Sequence, residues 1–363
     1  MKIAILNDTH CGLKNGSDIF LDNAEAFYSN VFFPYLEEHN IDTIFHLGDY
    51  YDHRRFVNFK ALERNRYMFL DVLREKGIHM SIIPGNHDVY YKNTNSLCSL
   101  KELLGHYTDC VSIYMDPVDL RINSSNFADA KIVEKNITVG LVPWICDDNE
   151  KKCIDFIQNT KSQVLFGHFE LAGFKFMANT NVISHGMGTD LFNRFDSVYS
   201  GHYHTKSAQN NITYLGSQME FTWSDAHDPK YFHIFDPETR EIEAIRNPYT
   251  LYRKLYYSDD KQSDYSDVTD KFVKIIVSDR KDHYLFDKYV DKVQAMNPHD
   301  LKIVDNIVDI SSESIEDEKV NLEDTATLLN SYVEALDVED HDKNVLKSML
   351  SELHTEATDL NSI

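Results

Sequence analysis

The chain holds no Cys-x-x-Cys pair, and its five cysteines (Cys11, Cys98, Cys110, Cys146 and Cys153) are an odd number. A disulfide framework is therefore not expected, and a reducing, cytoplasmic setting fits best. No apolar run approaches the roughly 18 residues that a membrane span requires, and the opening MKIAILNDTH lacks the shape of a signal peptide. Positive charge is scarce: 36 Lys and Arg stand against 59 Asp and Glu, a net charge of −23. That balance disfavours indiscriminate polyanion binding, which needs a broad basic surface, but it leaves room for a local basic groove. Internal repeats and low-complexity tracts are absent too. Apolar material is plentiful, with 42% hydrophobic and 12% aromatic residues, so a substantial core can form and wholesale disorder is excluded. A length of 363 residues suggests two domains of about 150 residues each.

Over the first 220 residues, short apolar runs each end in a polar cluster: KIAILND, DTIFHLGD, HMSIIPGNHD, TVGLVPW, QVLFGHF, SVYSGHYH and ITYLGS. Between the first three lie helical patterns, one through Ala24, Phe27, Val31, Tyr35 and Leu36 and another over Leu62–Leu73. Strand–helix alternation predicts an α/β domain, with the polar clusters at the strand ends where open α/β sheets place their sites. From about 230 to 300 the style changes. KYFHIFDP and ETREIEAI suggest a hairpin, and KFVKIIVS, DRKDHYLFDKYVDKV and LKIVDNIVDI read as strand, helix and strand, a small α+β domain. Acid then concentrates: Asp300–Ile363 holds 17 Asp and Glu against 4 Lys and Arg, more than half of the net charge. SSESIEDEKVNLED reads as a solvated linker, followed by two amphipathic helical patterns, Leu328 to Leu336 and Val345 to Leu353. These helices are either a packed appendage or a docking element.

Five strand ends deliver metal-type ligands: Asp8-Thr9-His10-Cys11-Gly12, Gly48-Asp49-Tyr50-Tyr51-Asp52-His53, Gly85-Asn86-His87-Asp88, Gly167-His168 and Gly201-His202-Tyr203-His204. Because residues i and i+2 point the same way along a strand, Asp8 with His10, and His202 with His204, either bite on one centre or straddle two. The repeated glycines permit tight turns and a close backbone approach to a charged substrate. Any one piece is ordinary, since a single histidine beside an apolar run is usually core or surface. Five in this order resist explanation by packing. Carboxylate, imidazole and amide oxygen together suit manganese, iron or zinc. Seven ligands over-supply one ion, so two ions sharing a bridging carboxylate is the economical reading. Such a pair grips both non-bridging phosphate oxygens and activates a water for in-line hydrolysis of phosphate esters.

This order of motifs, with Val142-Pro143-Trp144, Gly167-His168-Phe169-Glu170, Ser200-Gly201-His202-Tyr203-His204-Thr205 and Leu215-Gly216-Ser217, resembles the calcineurin-like metallophosphoesterases. Within them it is most similar to the SbcD-type nuclease subunits of double-strand-break repair, those of T-even phage recombination included. The resemblance implies a four-layer α/β/β/α sandwich over 1–228, a small DNA-capping α+β domain over 229–310, and C-terminal helices within an acidic docking region at 311–363. It implies one ion held by Asp8, His10, Asp49 and His204. A second would be held by Asp49, Asn86, His168 and His202, with Asp49 bridging. Family precedent favours Mn2+, with Mg2+, Fe2+ or Zn2+ also compatible. His87 then stands beside the scissile phosphate as transition-state stabiliser or proton donor. Such a histidine needs an orienting partner. Asp52 is the natural candidate, but some relatives carry His at that position and here His53 follows it, so the division of labour stays open. Asp88 is expected to support the ligands, or merely to cap the turn.

For the substrate there is one local clue. Tyr50–Arg66 carries Arg54, Arg55, Lys60, Arg64 and Arg66 against Asp52 and Glu63, a net +3 beginning at a ligand loop. Arg54, Arg55 and Lys60 are candidate DNA contacts, with a solvated helix face as the alternative. Tyr50, Tyr51 and Phe56 stack on an unpaired base or belong to the core. The resemblance further implies double-strand exonuclease and single-strand endonuclease activity in recombination and repair. It implies a homodimer through the regions near 59–76 and 94–105, and docking of the C-terminal helices on the coiled coil of an SbcC-type ABC ATPase. The host cytoplasm is the expected location if a phage encodes the chain. A protein phosphatase or a metallo-phosphodiesterase acting on a non-nucleic-acid substrate would use the same ligands, and a scaffold that kept only the fold would have lost some of them.

Overall fold

The computed structural model describes residues 2–128, 131–176, 182–183, 186–305, 346 and 349, with side chains described outside 123–136. One sheet takes β1 (Ile3–Leu6), β2 (Thr43–His46), β3 (His79–Ile82), β6 (Val111–Ile113), β13 (Tyr231–Asp236) and β14 (Glu241–Arg246), in the order β14-β13-β1-β2-β3-β6. Its β1, β2, β3 and β6 run parallel, while the β13–β14 hairpin adds antiparallel to β1. The second sheet takes β7 (Val118–Ala128), β8 (Lys131–Val142), β9 (Val164–His168), β10 (Ser197–Gly201), β11 (Ser207–Gln209) and β12 (Ile212–Tyr214), in the order β11-β12-β10-β9-β8-β7.

The two-residue period of the strands builds the layers. Ile3 and Ile5 of β1, with Phe45 of β2, bury against Val139, Leu141, Val164 and Phe166 of the second sheet. Their neighbours Ala4, Leu6 and Ile44 turn the other way, onto Phe27, Phe32, Leu36, Phe69 and Leu73 of two helical segments. In the second sheet, Leu165 and Val198 face outward onto Cys153 and Ile157 of the helix Glu150–Asn159. The result is helix, sheet, sheet, helix, the α/β sandwich expected.

Both helical segments against the first sheet carry a wide turn. In Asp18–Glu38 the Phe33 amide bonds back to the Tyr28 carbonyl, and in Phe59–Lys76 the Asp71 amide bonds back to Arg66. One extra residue per segment shifts the apolar stripe, which keeps Phe27, Phe32 and Leu36 all on the core face. Asn58 caps the second segment by accepting from the Lys60 and Ala61 amides, and Gly77 ends it at φ 65°.

Three features differ from the sequence reading. The hairpin at 231–246, expected to open the capping region at 229, pairs with β1 in the first sheet. The long β7–β8 hairpin was not anticipated, nor was the short one of β4 (Val89–Tyr91) and β5 (Thr94–Cys98) directly after the Asn86-His87 loop. The strand–helix–strand reading holds as β16 (Phe272–Val277), the helix His283–Ala295 and β17 (Asp300–Val304), with β15 (Tyr252–Tyr257) completing a sheet ordered β15-β16-β17. The chain divides into two compact units. One is Met1–Lys254 with Asp264–Val273 and Tyr289–Leu301; the other is Leu255–Ser263 with Lys274–Lys288 and Lys302–Ile363. The acidic linker and C-terminal helices expected within 311–363 lie outside the described residues, save for positions 346 and 349. Among the described residues no helix is long and apolar enough to cross a membrane.

Candidate metal centre

The five polar clusters follow β1, β2, β3, β9 and β10, whose C-terminal ends meet at one edge of the sandwich. Strand alternation does not aim the ligands. Asp8, His10, Asp49 and His202 all sit beyond or between the strands with positive φ, at 49°, 43°, 54° and 86°. Left-handed backbone at four non-glycine positions is strained and holds only because the surroundings over-determine it. Two glycines permit the approach of the loops: a Cβ on Gly48 would overlap the Gly85 backbone, and one on Gly85 would overlap the amide and carboxylate of Asp49.

Three donor groups result: Asp8, His10 and His204; Asp49, His168 and His202; and His10, Asp52 and His87. The Nε2 atoms of His10 and His204 lie 3.2 Å apart. Asn86 Oδ1 stands 3.0 Å from His168 Nε2 and 2.8 Å from His202 Nδ1. Asp49 Oδ2 lies between the sets, 3.3 Å from His168 Nε2 and 3.9 Å from His10 Nε2. His202 and His204 thus straddle two clusters. Asp8 is held by Asn7 Nδ2 at 2.6 Å and by the His202 amide at 3.1 Å.

The His87 amide donates to Asp49 Oδ1 at 2.7 Å, and its Nδ1 lies 2.6 Å from the Asp52 main-chain carbonyl. The Asp52 carboxylate points elsewhere, to His10 Nδ1 at 3.4 Å. His53 stacks on Phe56 with ring centroids 3.8 Å apart, and its Nδ1 accepts from the Arg55 amide. Asp88 ties two ligand loops together, accepting from the Gly85 amide and from those of Tyr50 and Tyr51.

Burial and mutual charge set the protonation of this cluster. Burial opposes a charge on His10, but the carboxylates of Asp52, Asp49 and Asp8 outweigh it and hold the imidazole up at about 9. His168, buried against Asp49, is likewise raised to about 9. Asp49 stays well below the ordinary carboxylate range, because His168 and His87 overcome its desolvation. Burial, then the neighbouring His168 and His10 respectively, drives His202 and His204 well below the usual imidazole value. Desolvation raises Asp88 to about 7, with Asp49 adding to it. Two carboxylates and four imidazoles converging in a buried space are costly alone. Divalent cations relieve that cost, and the mixed oxygen and nitrogen donors fit them.

The basic segment is partly neutralised. Lys60 pairs with Asp18 at 2.9 Å, and Arg64 with Asp22 and Glu25. Arg55 lies over the Tyr90 ring at 5.9 Å. Tyr50 and Tyr51 are buried in the core, whereas Phe56 is 56% exposed.

Three supporting residues pack around the donors: Trp144, which belongs to the Val142-Pro143-Trp144 motif, and Phe221 and Lys230, which were not singled out from the sequence. Trp144 packs against His168 and His202, with centroids 5.9 and 5.3 Å apart. Phe221 packs on both His10 and His204. The buried ammonium of Lys230 donates to the His204 carbonyl at 3.0 Å while paired with Asp225 and Asp228. Phe221 and Lys230 each stand alone in the sequence neighbourhood, so no pattern marks them.

The model of the family described as calcineurin-like phosphoesterase matches residues 1–206, more than half of the chain. The chain belongs to that family. Its members use divalent metals, and the chain is a hydrolytic enzyme acting on phosphodiester bonds. It is 31% identical over 360 residues to exonuclease subunit 1 of Enterobacteria phage T4, covering 99% of this chain and 100% of that one. It is also 25% identical over 280 residues to the SbcD component of the SbcCD nuclease of Staphylococcus saprophyticus, covering 70% of each. A solved archaeal phosphodiesterase shares 16% identity with a TM-score of 0.32, over 68% of this chain and 100% of that one, too distant to bear on the site.

Proposed function

We propose that this phosphoesterase is the nuclease subunit of a DNA recombination and repair complex. The observation that carries the reading is the meeting of two buried donor clusters at one carboxylate, that of Asp49. Asp8, His10, Asp49 and His204 would hold one ion, and Asp49, Asn86, His168 and His202 the other, most simply manganese. Paired divalent ions supply neutralisation of the phosphate and a hydroxide nucleophile at neutral pH. With its Nδ1 tied to the Asp52 carbonyl, His87 offers Nε2 to the phosphate and its leaving oxygen.

DNA as substrate, and double-strand exonuclease with single-strand endonuclease activity, rest on the relatives, one named as part of an exonuclease and the other as part of a nuclease. Arg54 and Arg55 are the proposed backbone contacts beside the site. The second relative's name joins it to a larger complex, and we assign an SbcC-type ATPase as partner, docked through 311–363. Residues beyond the β13–β14 hairpin would present DNA to the site. A homodimer is supported by the exposed Phe59, Tyr67 and Leu97 in the segments expected to pair, 59–76 and 94–105. The cytoplasm is the matching compartment.

The test is cleavage of an end-labelled duplex at low salt, with manganese or magnesium, by wild type and His87→Ser. Wild type should cut with manganese, and the variant should lose at least about 100-fold while keeping its metal. Intact DNA alongside rapid hydrolysis of aryl phosphomonoesters or cyclic nucleotides would overturn the nuclease reading.

A further inference from the structure

We infer that the Asp52 carboxylate is a positioning group for His10, and that Asp52 acts on His87 through its main chain alone; the inference rests on the two-ion reading above. His10 is buried, at 4% exposure. Its Nε2 faces His204 and Asp49, at 3.2 and 3.9 Å. Among the described residues the opposite nitrogen, Nδ1, has no hydrogen-bond partner, and the Asp52 carboxylate stands 3.4 Å from it. An imidazole that offers one nitrogen to a cation needs its other N–H tied to an acceptor, which fixes both tautomer and ring orientation.

His168 shows the same plan in the second cluster. Its Nε2 faces Asn86 and Asp49, while its Nδ1 is 2.7 Å from the Leu47 carbonyl. For His168 the main chain provides the acceptor; for His10 the acceptor is a side chain and can be deleted. His87 differs again, since its Nδ1 is 2.6 Å from the Asp52 carbonyl. One residue therefore serves two histidines through two groups, and substituting the side chain removes only one of them. Asp52 is also partly exposed, at 25% of its side chain.

The experiment is equilibrium dialysis of the full chain against Mn2+, counting bound ions, for wild type, Asp52→Ala, Asp52→Asn and His87→Ala, with thermal unfolding to confirm folding. Wild type and His87→Ala should each bind two ions with the same affinities. Asp52→Ala should hold one as tightly as wild type and the other about 10- to 100-fold more weakly. Asp52→Asn keeps an acceptor oxygen of the same shape, so it should fall between, and it decides the matter if the alanine variant does not fold. Two ions bound to both Asp52 variants at wild-type affinity would overturn the positioning role, as would equal weakening in His87→Ala. Fewer than two ions on wild type would overturn the two-ion reading and the inference with it.

Discussion

Glu220 illustrates how a single buried group sets a condition on the whole chain. Only 2% exposed, its carboxylate accepts from the amides of Leu251 and Tyr252 at 2.6 and 2.8 Å. Burial nevertheless raises its pKa to about 7, because the two amides only partly offset the desolvation. The folded state thus holds a proton that the unfolded state releases near 4.5. Stability from this group is fully present below that value and declines as pH rises toward 7. Glu220→Gln keeps an oxygen for both amides and has nothing to ionise. Urea unfolding should show the variant gaining on wild type between pH 5 and pH 8, by at most about 3 kcal/mol. An equal difference at both pH values would show the carboxylate ionised throughout. At this scale the sequence displayed residue types well: each proposed ligand stands in a cluster that could be read directly. It could not display which imidazole nitrogen faces inward, because that depends on groups contributed by other loops, the Leu47 carbonyl beside His168 and the Asp52 carboxylate beside His10.

Strands and turns were legible where local pattern decides them. KIAILND, DTIFHLGD and QVLFGHF each became a strand ending in ligands, since an apolar run closed by a polar cluster has few other ways to fold. The β7–β8 hairpin was illegible because RINSSNFADAKIVEKNITVG has no sustained alternation. Pairing of β13 with β1 was illegible for another reason: the contact spans more than 200 residues and is chosen by burial of Phe235 and Ile234 on the two faces. The loops after β2 and β3 depend on one glycine more than any pattern suggests. Gly85 does not need positive φ, so alanine is conformationally acceptable there, yet its methyl would displace both the amide and the carboxylate of Asp49. Gly85→Ala should fold, at a cost of about 1–3 kcal/mol. Phosphodiester hydrolysis should drop by about 100-fold, as expected for a displacement near 1 Å at a reacting centre. Wild-type turnover in that variant would show that Asp49 need not stay where the loops hold it.

Charge is distributed unevenly over the whole molecule. Asp300–Ile363 carries more than half of the net −23, while Lys60 and Arg64 near the site are engaged by Asp18, Asp22 and Glu25. The chain therefore offers duplex DNA little net attraction, and most of its long-range field repels a polyanion. A partner with a basic docking surface would neutralise the acidic region and supply what the chain lacks. Removing residues 320–363 deletes ten acidic and two basic side chains and none of the residues proposed to hold the metals. The truncated chain should hydrolyse bis-aryl phosphodiesters with manganese at a rate within about 2-fold of the full chain, because every proposed ligand remains and salt screens the loss of solvated charge. It should fail to co-purify with the SbcC-type ATPase, and complexes of the full chain should loosen as salt rises, since opposite charges hold them. Retained co-purification after truncation would place docking elsewhere on the chain, and loss of phosphodiester hydrolysis would make the acidic region part of the folded catalytic unit.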